Sequence, residues 1–252
     1  MPPSNGRTIT LGSRRFNVIW LNKAIHENIE PYPGDPKPEK KIFSDIKSSG
    51  YEHYIWTLGD HIFHPHADAP NHQNPEMNQK GIEVFGLDYF FNKACLIDLS
   101  KEESATTVDA IRYLKKVDRA LLEPYADIIL TRPAVIIRTG FDFWIEQNRP
   151  LKLGTLPYLT PQAADFIIQN PNLKVIAMDS PTIDPDGSHY AHQCFKHQLI
   201  VESMVNLHAV PEHARLDFDL QTATIPIEGA TGGPVCAFAF IEIESLDEEK
   251  EP

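Results

Sequence analysis

The chain has 252 residues, 42% hydrophobic and 23% charged, the balance of an ordinary globular protein able to bury a core without disulfide staples. Its net charge of −12 argues against nucleic acid and against an anionic membrane surface as partners. Cys95, Cys194 and Cys236 are far apart with no CxxC, the N-terminus is polar, and no run of about 18 apolar residues occurs, so a cytoplasmic protein without a disulfide framework, cysteine zinc site or membrane span is expected.

Taken in order, Arg15 to Leu21 reads as a strand. Glu30-Pro31-Tyr32-Pro33-Gly34-Asp35-Pro36 is a rigid loop, since its prolines forbid regular structure. Tyr51 to Leu58 is aromatic and β-branched and reads as a strand that delivers the chain to Gly59. Ala94 to Leu99 is a buried strand. Val108 to Tyr125 carries apolar residues at Val108, Ile111, Leu114, Val117, Leu121 and Leu122, which predicts a helix starting near Thr107 and Asp109. Ala134 to Arg138 is a strand, followed by an aromatic turn at Phe141, Phe143 and Trp144. Thr160-Pro161 starts a helix, as N-cap and first helical residue, and Asn170-Pro171 ends it. Val175 to Asp179 and Gln198 to Val201 are strands, the second leaving Glu202 near its end. Val235 to Ile243 is the strongest strand signal. The glycine-rich turn Gly229 to Gly233 is given a structural role, with one backbone N–H facing a site. Strands and helices intersperse without a linker, so residues 1–252 are expected to form one α/β domain: a mixed β-sheet or open barrel with a few packed helices.

Four of the 11 histidines fall between His61 and His72, where even scatter would put about 0.5. Imidazole and carboxylate are the usual ligands of a catalytic divalent ion. Alternate strand residues share a face, so His64, His66 and Asp68 are candidates, and His61 joins them if the stretch bulges at Pro65. Two histidines and an aspartate leave open positions for water. His72, beyond Pro70, suits a proton shuttle. The rest of the site is sought in His189 to Glu202, which holds His189, His192, His197 and Glu202. Trp56, Phe63 and Phe85 are candidates for an apolar wall against an aryl substrate. The bland alternative is a surface histidine patch. No GxSxG elbow or phosphate loop is present.

These blocks resemble the cyclase family of metal-dependent hydrolases, which includes bacterial kynurenine formamidases and isatin hydrolases, with the signature HxGTHxDxPxH. His66-Ala67-Asp68-Ala69-Pro70-Asn71-His72 matches its second half. Tyr32-Pro33-Gly34-Asp35-Pro36, Ile137-Arg138-Thr139-Gly140, Asp179-Ser180-Pro181-Thr182-Ile183-Asp184, Val201-Glu202 with Val205-Asn206-Leu207, and Gly229 to Val235 resemble further family blocks in family order. His64-Pro65 stands where the family has Gly-Thr. The family's first histidine is therefore His61, with one inserted residue, or its rival His64. The later one is His192, or its rival His189.

The resemblance implies a swivelling β/β/α fold. It implies a metal held by His61, His66 and Asp68, a second metal position completed by His192 and Glu202, and His72 as general acid/base. Zinc is preferred to manganese, as one or two ions. The implied activity is hydrolysis of a carbon–nitrogen amide bond in a small-molecule arylformamide or cyclic amide or imide, by a homodimer or homotetramer. A metal-dependent lyase or cyclising enzyme on the same scaffold, or a non-catalytic metal-binding protein, are the alternatives.

Overall fold

Nine strands of the computed structural model, which describes residues 6–62 and 64–243, form one sheet. They are β1 (Arg7–Leu11), β2 (Arg14–Trp20), β3 (His66–Asp68), β4 (Phe91–Asp98), β5 (Ala134–Arg138), β6 (Val175–Met178), β7 (Leu199–Glu202), β8 (Phe218–Thr224) and β9 (Gly232–Ile243). β4, β5, β6 and β7 lie side by side in parallel. Their Val, Ile and Leu runs are buried, as parallel strands covered on both faces require. β8 continues antiparallel beyond β4, and β3 beyond β7. The long β9 then pairs with both β8 and β3. That double pairing closes seven strands into a mixed barrel, where the sequence left open sheet and open barrel as alternatives. β1 and β2 extend the sheet from the far half of β9.

Side chains alternate across this wall. Ala67, Leu96, Ile136, Ala177, Val201, Leu220 and Ala237 belong to one cluster that every barrel strand feeds, which is the interior. Cys95, Ile97, Val135, Ile137, Ile176 and Ile200 belong to a second, outer cluster. There the helix Pro161–Ile167 covers them with Ala163, Ala164 and Ile167. It starts as the sequence predicts: Thr160 Oγ1 accepts from Ala163 N at 3.2 Å and Pro161 needs no donor of its own.

The helix expected over Val108 to Tyr125 is not formed as one element. Thr106–Val108 and Ile111–Tyr113 make a hairpin, and helix begins only at Arg119–Leu122. The turn residues Asp109 (φ 49°) and Ala110 (φ 66°) are left-handed, the conformation that suits a two-residue hairpin. Buried Ile111 and Tyr113 flank exposed Arg112, so the effective period there is two. A second ribbon, Glu39–Ser44 with His53–Thr57, stands apart from the barrel with Ile42, Phe43, Ile46 and Trp56 exposed. No helix among the described residues is long and apolar enough to cross a membrane.

Candidate metal centre

β3 pairs with β7 so that His66 faces Glu202 across the ladder. Ala67 and Val201 point into the barrel, so alternation sends His66, Asp68 and Glu202 to the outer side. All three are buried. His61 arrives from the loop after the second ribbon, and His192 from the short helix Tyr190–Cys194. His61 Nδ1 lies 3.0 Å from Asp68 Oδ1. His66 Nε2 lies 3.4 Å from the same oxygen and 3.6 Å from Glu202 Oε2. His192 Nε2 lies 3.1 Å from Asp68 Oδ2 and 3.3 Å from Glu202 Oε1. The structure thus brings together His61, His66, Asp68, His192 and Glu202.

The partners behind each ring fix its tautomer. His66 Nδ1 is 3.0 Å from the carbonyl of His64, and His192 Nδ1 is 2.7 Å from Asp184 Oδ2. Both oxygens can only accept, so both Nδ1 atoms carry protons and the Nε2 lone pairs face inward. His61 Nε2 is 2.9 Å from Thr231 Oγ1. That hydroxyl gives its own proton to Asp60 Oδ2 at 2.7 Å, so it accepts from His61, whose Nδ1 lone pair faces inward too. Three imidazole lone pairs therefore converge on two buried carboxylates, and Asp68 Oδ1 has no hydrogen-bond donor of its own among the described residues.

Lone pair against carboxylate is repulsive unless a positive charge lies between them. Protons fill that part when no cation is bound. Burial works against a charge on His66, yet Asp68 and Glu202 hold it up at about 9. Burial likewise opposes the charge on His192, and Asp184, Asp68 and Glu202 raise it well above the ordinary histidine value. Burial raises Glu202, with the Asp68 charge adding to it. Hard oxygens and borderline nitrogens around one orphaned oxygen are a donor set that fits a divalent cation.

His72 sits in a cavity of about 290 Å³ lined also by Tyr32, Asp35, His61, His66, Gln73, Pro181, Thr182, His192 and Glu202. Its ring stacks on His61 at 3.8 Å between centroids, and burial pushes its pKa down to about 4. It is therefore a neutral ring at pH 7.

The remaining sequence candidates lie elsewhere. His64 is buried with neither ring nitrogen partnered among the described residues and stands outside the cavity lining. Burial pushes it down to about 3. His189 is exposed and meets Gln73, not the carboxylates. Trp56 does not line the cavity: it is on the outlying ribbon, 40% exposed, with the Lys40 ammonium 5.7 Å over its ring. Phe85 does not either, because it packs into the interior cluster against Tyr89. Phe63 falls outside the described residues.

Sequence reasoning left Asp184, Thr231 and Asp60 without roles, although Asp184 and Thr231 sit in recognised blocks. The glycine-rich turn does more than a scaffold: its Thr231 orients His61. Gly232 next to it is obligatory, since a Cβ there would lie 2.8 Å from both the Ala67 carbonyl and His61 Cε1.

Residues 19–185, about two thirds of the chain, match the Cyclase family model. No curated protein matches. Among solved structures the chain is similar to isatin hydrolase A from Labrenzia aggregata bound to benzyl benzoate (16% identity, TM-score 0.74, covering 90% of this chain and 94% of that one). It is equally similar to an isatin hydrolase bound to the product analogue thioisatinate (19%, 0.74, 90% and 92%). A predicted metal-dependent hydrolase from Bacillus stearothermophilus follows (17%, 0.65, 89% and 98%). The fold is that of these proteins, and by the match over most of its length the chain belongs to the cyclase family.

Proposed function

We propose that this protein is a metal-dependent hydrolase of a carbon–nitrogen amide bond, in an arylformamide or a cyclic amide or imide. The observation that carries the reading is the convergence of three ring nitrogens, His61 Nδ1, His66 Nε2 and His192 Nε2, on buried Asp68 and Glu202 beside His72 in an open cavity. His61, His66, Asp68, His192 and Glu202 would hold one or two ions, zinc before manganese. When bound, such an ion supplies a Lewis acid that polarises a carbonyl and acidifies water. The names of the structural relatives, isatin hydrolases and a metal-dependent hydrolase, support the same class.

His72 takes the proton of the attacking water and returns it to the leaving nitrogen. A neutral imidazole is the form that can do the first of these. Tyr32 and Thr182 offer hydroxyls, and Asp35 a carboxylate, to a substrate in the cavity. Among the described residues no lysine or arginine lines it, which suits an uncharged substrate better than an anionic one.

Chelation followed by assay of arylformamide, isatin and cyclic imide hydrolysis tests the class. Activity is expected to vanish and to return with zinc; activity that survives complete metal removal refutes it. In labelled water a hydrolase puts the label into the product carboxylate, which a lyase does not. His72→Ala is expected to lose about 10²–10⁴-fold in kcat while still binding metal, and full turnover would remove His72 from the mechanism. Assembly as a homodimer or homotetramer belongs to the same proposal. Its support is the apolar ribbon and the helical turn that joins its strands, where Ile42, Phe43 and Ile46 are each more than 60% exposed, and a monomer by light scattering would exclude it.

A further inference from the structure

We propose that Gln73 and His189 are a positioning pair that decides which ring nitrogen of His72 is basic, an inference that rests on the role given to His72 above. Gln73 Nε2 lies 3.1 Å from His72 Nε2. An amide nitrogen can only donate, so that ring nitrogen accepts and keeps its lone pair. The single proton of the neutral ring is then on Nδ1. The other end of the same amide, Gln73 Oε1, meets His189 Nδ1. A carbonyl oxygen can only accept, so His189 donates.

The second bond is what orients the first. An amide has two nearly isosteric ends, and nothing at His72 alone prefers one of them. Turned end for end, Gln73 would offer its oxygen to His72 and draw the ring proton to Nε2. Nδ1 rather than Nε2 would then be the basic nitrogen of the ring. The amide couples the two rings: with Oε1 taken by a His189 N–H, its own N–H is left for His72 Nε2. A water reaching His72 Nε2 then replaces the Gln73 N–H without any change of tautomer. His189 itself is exposed and outside the cavity lining, so it acts on His72 only through Gln73.

The two histidines of the later block thus differ in role. His192 faces the carboxylates, held by Asp184, while His189, three residues earlier, reaches across the chain to the residue after His72. Gln73 lies in a loop that no strand or helix fixes, so a partner at its far end is what gives its side chain one orientation. The orientation matters because a tautomer controlled from behind is how imidazoles are commonly tuned.

The test uses the zinc-loaded full chain with nitrogen-15-labelled histidine. His72 signals are identified by their loss in His72→Gln. In the wild type, Nε2 of His72 is expected to show the unprotonated shift and Nδ1 the protonated one. In Gln73→Met, which keeps the volume but neither hydrogen bond, and in His189→Phe, the two tautomers are expected to mix. On an amide substrate kcat should fall about tenfold in Gln73→Met with KM changed by less than about twofold and metal content unchanged. His189→Phe should fall less, and the double variant no further than Gln73→Met alone. His189→Gln, whose amide can donate to Oε1, should recover the wild-type shifts and rate. A protonated Nε2 in the wild type, or losses that multiply in the double variant, overturns the proposal. If no amide is hydrolysed, the proposed function fails while the tautomer measurement still decides this one.

Discussion

Asp184 illustrates how much of a histidine's chemistry is set by the residue behind it. Its carboxylate accepts from the backbone of Ala191 and His192 and from His192 Nδ1, so the helix start and the ring are oriented by one side chain. Asp184→Asn can present an N–H to Nδ1 and permit the wrong tautomer. Metal affinity is expected to fall about 10–100-fold, as outer-shell changes do, read by competition with a chromophoric chelator; unchanged affinity would remove Asp184 from the site. His208 gives a pH-dependent counterpart beside Asp142 and Glu146. Its Nδ1 is 3.5 Å from Asp142 Oδ2 and 3.6 Å from Glu146 Oε1. The Asp142 contact raises its pKa against the effect of burial, with Glu146 adding to it. A raised pKa means that the folded state binds the proton more tightly. The contribution is whole below the unfolded histidine value and is lost as pH rises through the folded one. Thermal melts should therefore show a wild-type loss of stability as pH rises above the ordinary histidine value of about 6.5 that His208→Asn lacks. Parallel curves would contradict this.

The elements show where local pattern suffices and where it does not. β4 to β7 were legible because runs such as Ala134 to Arg138 are buried on both faces and so contain almost no polar interruption. The helix after Thr160 was legible because its cap is built from adjacent residues. Val108 to Tyr125 was misread because apolar residues three or four apart also arise from a short hairpin followed by the two-residue strand Lys116–Val117 and the helical turn Arg119–Leu122. Only the backbone of Asp109 and Ala110 separates the two, and neither residue advertises a positive φ. Ala110 is the weak point of that turn. A left-handed alanine costs about 1–2 kcal/mol, and glycine returns part of the gain through unfolded-chain entropy. Ala110→Gly should stabilise the protein by about 0.5–1 kcal/mol in urea titration; a loss of stability would mean that the turn is not what limits the hairpin. The site followed the same division. His66, Asp68 and His72 were legible as a local pattern. The choice of His61 over His64, or His192 over His189, depends on Thr231 and Asp184, which are distant in sequence from at least one partner.

At the scale of the molecule, the cluster draws on residues from His61 to Glu202, so a bound ion would tie the antiparallel flank of the barrel to its parallel half. A ligand that binds only the folded chain stabilises it by mass action, about 2.7 kcal/mol at 100 times Kd. For a protein of this size about 1 kcal/mol moves Tm by about 2–4 °C. Chelation should therefore lower Tm by about 5–10 °C in calorimetry, reversibly with zinc. An unchanged Tm would mean that no ion joins these segments.

The barrel is closed by β9, the last strand among the described residues, which pairs with β8 on one side and β3 on the other. While a ribosome is still making residues before 232, β3 and β8 are both open edges of a sheet rich in Val, Ile and Leu. Unpaired edges of that kind template association between chains. Synthesis thus passes through a vulnerable interval that ends only when β9 emerges. A chain stopped at residue 231 should accumulate in the insoluble fraction, and its yield should depend on chaperone supply more strongly than that of the full chain.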